Sequence, residues 1–186
     1  MWRRVALAAG LAAVLLGAPP AAIAQQAVAP QILTLDQDRL YNGSLYGRAL
    51  EAKWQAATQA LAAENRKIEA DLSTEEATLT TQRATLSAEE FAALADAFDT
   101  KVEKIRAEQE AKVTALAADH DTGRKQFFKS AVPILAALMR TLGAYAILNH
   151  DAVVLSFDSI DVTDRAIREL DAKLGDGSTV PASPPP

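Results

Sequence analysis

From Ser44 to Gln82 the chain carries no proline and, past Gly47, no glycine, while Ala, Glu, Leu, Gln and Lys dominate. These are strong helix formers, so the stretch predicts one long helix. Its apolar residues fall at Leu50, Trp54, Ala57, Leu61, Ile68, Leu72, Leu79 and Leu86, spaced by 4, 3, 4, 7, 4, 7 and 7. The repeat averages close to 3.5 residues, the period of a left-handed coiled coil rather than of a helix laid on a broad core. Asn65, Glu75 and Gln82 fall near seam positions. The seam therefore weakens outward, and the outer half is expected to be the more mobile.

The helix needs a partner, and the sequence supplies one immediately. Ser87 followed three residues later by Glu90 forms a capping box, in which each side chain serves the other's free backbone N–H. A similar box at Ser73 and Glu76 competes, but the register through Leu72 and Leu79 favours continuation there, which sets the hairpin tip near residues 84–87. The return helix shows Phe91, Leu94, Phe98, Ile105, Val113 and Leu116 at near-heptad spacing and grows more apolar from Phe127 to Leu142. Pro133 lies inside it and is expected to kink it. At 1.5 Å per residue the two helices make an arm on the order of 60–80 Å long, which encloses no core of its own.

Short elements flank the arm. Gln31 to Leu35 reads as one strand, and Asn42-Gly43-Ser44 as a turn. Beyond Gly143, Tyr145 to Leu148 and Val153 to Phe157 enclose the polar Asn149-His150-Asp151 and read as a β-hairpin. Asp161 to Asp164 supplies caps for a helix from Arg165 to Leu174, stopped by Gly175. The Gly, Ser and Pro-rich residues 175–186 are expected to be disordered. The expected fold is α+β, mainly α, with a helical hairpin (44–142) inserted into a small β-body built from residues 25–43 and 143–174. Three short strands bury too little to stand alone, so self-association is expected through Ile32, Leu33, Leu35, Ile147, Leu148, Val153 and Leu155.

The first 24 residues are an address. Arg3 and Arg4, an apolar run from Val5 to Leu16 and the small-x-small end Ala22-Ile23-Ala24 make a secretory signal cleaved before Gln25. The run is well short of the roughly 20 residues needed to span a bilayer. With no cysteine anywhere there is no lipid anchor, no disulfide and no thiolate chemistry, and the released chain is expected in the periplasm without stable membrane insertion. Loss of Arg3 and Arg4 takes the formal net charge from −5 to −7 over 162 residues, which argues against nucleic acid as a partner.

At its two ends the chain resembles the Skp/OmpH family of periplasmic chaperones. The matching residues are Leu35 to Tyr41 with Ser44, Gly47 and Ala49, then Tyr145 to Leu148, Val153 to Leu155 and Ile160 to Asp164, with Ile167 and Leu170. Pro133 also stands where such proteins commonly have one. The resemblance implies a homotrimer whose strands share one β-body, with three arms enclosing a cavity for unfolded outer-membrane proteins. One departure concerns the tip, which is often basic in that family. Residues 73–100 here hold Glu75, Glu76, Glu89, Glu90, Asp96 and Asp99 against Arg83 alone, which argues against lipid binding.

Neither histidine sits in a catalytic constellation. Asp119, His120 and Asp121 are successive on a helix and point about 100° apart, so they do not converge on a metal. The chain has no phosphate-cradling glycine motif, and neither a cofactor nor an enzymatic activity is expected. Trp54, Phe91, Leu94 and Phe98 are the candidate client contacts, weighed against simple seam filling. Two function classes follow: an ATP-independent holdase for unfolded β-barrel proteins, or a structural or adaptor coiled coil of the envelope.

Overall fold

Asp36 ends the first strand and starts the first helix, and the rest of the body is organised around that corner. In the computed structural model, which describes residues 32–180, strand β1 (Ile32–Leu35) passes directly into helix α1 (Gln37–Gly43). The Asp36 carboxylate caps the helix by accepting from the Arg39 N–H at 2.8 Å, while the Asp36 N–H donates to Thr163 Oγ1 at 2.9 Å. Residues read as a turn from sequence thus form a short helix, because an N-cap at Asp36 and a C-cap at Ser44 bracket them.

Ser44 is fully buried and joins two helices. Its backbone N–H closes α1 onto the Leu40 carbonyl, and its Oγ accepts from the Gly47 N–H at 3.1 Å, opening helix α2 (Leu45–Gln82). The same hydroxyl donates to the Tyr41 carbonyl at 3.1 Å. The chain then turns over residues 83–87 and returns as α3 (Ala88–Thr141), started by the reciprocal Ser87 and Glu90 bonds. Helix α3 continues through Pro133 to Thr141, where Gly143, at φ 66°, takes the chain into β2 (Ala146–Asn149).

The sheet differs from the expected one. β2 pairs with β1 in parallel, Ile32 opposite Ala146 and Leu35 opposite Asn149, and the Tyr145 to Phe157 hairpin does not form. Asn149 accepts from the Asp151 N–H and starts a 3₁₀ turn over His150–Ala152, which carries Val153 to Phe157 away from β2. The other edge of β1 is met by the segment before α4 (Thr163–Leu174), where Thr34 bridges Asp161 and the Val162 N–H donates to the Thr34 carbonyl.

One core lies at the arm root. Leu33, Leu35, Leu40, Tyr41, Phe127, Ile134, Leu138 and Leu170 are buried together, and Ala166 lets α4 approach closely. The Phe127 ring stands edge-on to Tyr41 at 5.0 Å and lies 5.5 Å from Tyr46. The Arg124 guanidinium covers the Tyr41 and Phe128 rings and pairs with Asp38. Burial pushes the Tyr41 hydroxyl upward in pKa, and the charge of Glu51 adds to this. Residues 175–180, expected to be disordered, form turns that fold back on α2, with Val180 against the core. The secretory signal, residues 25–31 with the expected strand start at Gln31, and residues 181–186 lie outside the described residues.

Two outcomes test this root. A Cβ at Gly47 would fall 1.8 Å from the Tyr41 carbonyl oxygen, so Gly47→Ala forces backbone apart. It should cost about 1–3 kcal/mol, read as a lowered melting temperature. Partial burial disfavours ionised Asp161, but bonds from the Thr163 hydroxyl and N–H, then the charge and bond of Arg39, outweigh it and hold the carboxyl below its ordinary value. A depressed folded-state pKa contributes stability above the unfolded value and loses it as pH falls through the folded one. Asp161→Asn should therefore lower the melting temperature at neutral pH, with the gap to wild type closing below about pH 4.

Candidate client-binding surfaces

A two-helix arm has one contact seam and no interior. Along α2 the half-buried positions include Leu50, Trp54, Leu61, Ile68, Leu72, Glu75 and Leu79; along α3 they include Phe91, Phe98, Val102, Ile105 and Leu116. Both rows keep the 4 and 3 spacing of a coiled coil, and from residue 48 to residue 126 no side chain is buried. Each seam apolar group thus keeps part of its surface in solvent.

The register of the hairpin is fixed by polar pairs across the seam. Lys101 pairs with Glu75, and Lys112 with Glu64, which also accepts from Gln109 at 3.2 Å. The Lys112 and Gln109 bonds hold the Glu64 carboxyl below the usual range, although it is solvent-exposed. Exposed pairs of this kind contribute little each, so they align the helices more than they stabilise them.

Of the candidate client contacts, Trp54 is half-buried, its indole 4.7 Å from the His120 ring, whose Nε2 lies 3.2 Å from Glu51 Oε2. Phe91 lies at the tip under the Arg83 guanidinium, 5.2 Å from the ring centroid. Phe98 lies in the seam, and Leu94 is exposed on the neighbouring face. The four therefore form a sparse row rather than one patch. Near the root the helices part around a cleft of about 340 Å³, whose walls include Tyr46, Leu50, Trp54, Leu116, Gly123 and Val180.

The candidate oligomerisation residues divide. Leu33 and Leu35 are consumed by the chain's own core, and Ile147 packs against it. Ile32, Leu148 and Leu155 are exposed, the last at 90%. Tyr145, Val154 and Phe157, not singled out from sequence, are exposed at 79%, 104% and 84%. They belong to the same apolar runs that the sequence reads as hairpin strands. Beside β2 an apolar groove of about 310 Å³ runs between Leu148, Ile147, Val132, Leu135 and Met139. Among the described residues, no helix is long and apolar enough to cross a membrane.

Comparison with known proteins agrees with this geometry. A family model described as outer membrane protein (OmpH-like) matches residues 31–170. A crystal structure of an OmpH-like candidate outer membrane chaperone from Caulobacter crescentus superposes with a TM-score of 0.76 at 18% identity, covering 80% of this chain and 88% of that one. A search of curated proteins finds no match.

An arm without buried residues should open locally far below the global unfolding free energy. Native-state hydrogen exchange should show the backbone amides of residues 60–110 exchanging at least about tenfold faster than those of residues 127–138.

Proposed function

The chain belongs to the OmpH-like family of outer membrane proteins, and from that membership we propose that it is an ATP-independent holdase for unfolded β-barrel proteins in the periplasm. Family membership supports a chaperone role. The observation that carries the finer reading is the arm seam, where apolar groups from Leu50 to Leu116 are lined up yet none is buried. Such a row offers many weak contacts to a chain that has no fixed shape. Multivalent holding multiplies them through effective concentration, while each contact stays easy to release without nucleotide hydrolysis.

Self-association supplies the multiplicity. Ile32, Leu148, Val154, Leu155 and Phe157 expose apolar surface on one small body, and β2 offers an edge beside the groove of Val132 and Leu135. A two-stranded sheet is marginal alone, and in the proposed assembly these large exposed apolar side chains are covered by a second copy. In the proposed homotrimer each copy covers that face of its neighbour, and the three arms surround one cavity. Ile147→Asp, placing a charge between this face and the chain's own core, should dissociate and unfold it. Sedimentation of the wild type as a folded monomer at micromolar concentration would overturn the assembly.

The holdase reading predicts that an outer-membrane barrel protein diluted from urea stays soluble in the presence of the purified chain. A spacer in the envelope would leave it to aggregate. Acidic arms cannot attract acidic clients, so apolar contact must hold them. Salt screens exposed charges, with a Debye length near 10 Å at about 0.1 M, and leaves apolar burial intact or slightly favoured. Affinity should therefore hold or tighten from low to moderate salt and fall in Phe91→Ser/Phe98→Ser. Vesicles of anionic lipid should not carry the free protein upward on flotation. A collapse of affinity with salt would mean that a local basic patch governs binding.

A further inference from the structure

The cleft at the arm root already has an occupant from the chain itself. Past α4, the Gly177 N–H donates to the Leu174 carbonyl, Ser178 to Asp176 Oδ1 and Val180 to the Gly177 carbonyl, so residues 174–180 coil into successive turns. Gly177, at φ 81°, lies close against the Tyr46 ring. A Cβ there would fall 2.0 Å from Tyr46 Cδ2, and that ring is held in place by Phe127. The close approach delivers Val180 into the cleft wall beside Leu50, Trp54 and Leu116. An isolated valine in a Gly, Ser and Pro-rich tail, docked at the base of the half-exposed arm row, makes an apolar side-chain contact of the kind an unfolded barrel strand offers every second residue.

We propose that residues 176–180 are a displaceable strap over a client-binding cleft, with Val180 standing where an aliphatic or aromatic side chain of an extended client segment binds. Client loading displaces the tail, and the tail lowers the apparent affinity by the fraction of time it is docked. The inference rests on the holdase reading and deepens it by naming a site.

Two substitutions undock the tail by independent means. Gly177→Val collides with Tyr46, and Val180→Asp makes cleft residence unfavourable; both lie beyond α4 and should leave its melting transition in place. In the chain beginning at Gln25, Trp54 is the sole tryptophan and lines the cleft, so its emission reports occupancy. The client is a urea-unfolded β-barrel protein with its tryptophans replaced by phenylalanine and a fluorescent label for anisotropy. Both variants should bind it about three- to tenfold more tightly than the wild type, as expected when a competing state is removed. A synthetic peptide of residues 175–186 added in trans should reverse the gain and restore the wild-type Trp54 emission. Variants that bind with unchanged or weaker affinity, while the wild type holds the client soluble, would overturn the strap and leave the holdase reading standing. Binding by neither wild type nor variants would overturn both.

Discussion

The edge-on contact of Phe127 with Tyr41 is the fixed point on which the rest of the molecule depends. A helical hairpin with one seam cannot exclude water from its own side chains, so its orientation must be set where a third element crosses it. Here that element is α1, and the crossing is made of rings: Tyr41 and Tyr46 from either side of the Ser44 corner meet Phe127 from the returning helix. Burying aromatic side chains supplies the largest apolar contribution available to a body this small, and the edge-to-face arrangement adds to it. Gly47 and Ser44 are the steric and hydrogen-bonding conditions for that contact, since the first admits the Tyr41 carbonyl and the second ties both helix ends to it.

Outward from this point the forces change character. Between residues 48 and 126 burial gives way to partial contact, and the cross-seam pairs Lys112 with Glu64 and Lys101 with Glu75 specify register at little gain in stability. Burial thus declines along the arm while the row of apolar groups continues. An arm anchored in a core at one end and only partly buried along its length would, in the proposed holdase, meet a ligand of no fixed outline more readily than a close-packed surface.

How far this was legible in the sequence depended on the range of the interactions. Helix α2, the Ser87 capping box and the seam residues follow from spacings of three, four and seven, all settled within a few turns of helix. The strand partnership was not of this kind. Two apolar runs around Asn149-His150-Asp151 suit an antiparallel hairpin, yet Ile147 pairs with Leu33 in parallel across more than a hundred residues of arm, and no local pattern specifies such a partner. The same limit hid α1, whose caps Asp36 and Ser44 are fixed by Thr163 and Gly47, and the tail, where a lone Val180 carries too little signal to predict docking. Among the candidate site residues, Leu33 and Leu35 read from sequence as self-association contacts, but the fold buries both in the chain's own core.

The apolar surface left over after folding is of two sorts, and the difference bears on function. On the body it is carried by Ile32 and Leu148 on the strand pair and by Val154, Leu155 and Phe157 in the segment that leaves β2; in the proposed assembly a second copy, itself of fixed shape, covers it. Along the arm it is interrupted, each residue half-used by its own seam and flanked by charge. A surface of separated partial contacts gains little from any single shape and favours a chain that can meet the contacts one at a time. If the body self-associates and the arm holds clients, as proposed, the division between the two kinds of association follows how completely each surface is organised by the core behind it, and the Phe127 crossing stands at the boundary between them.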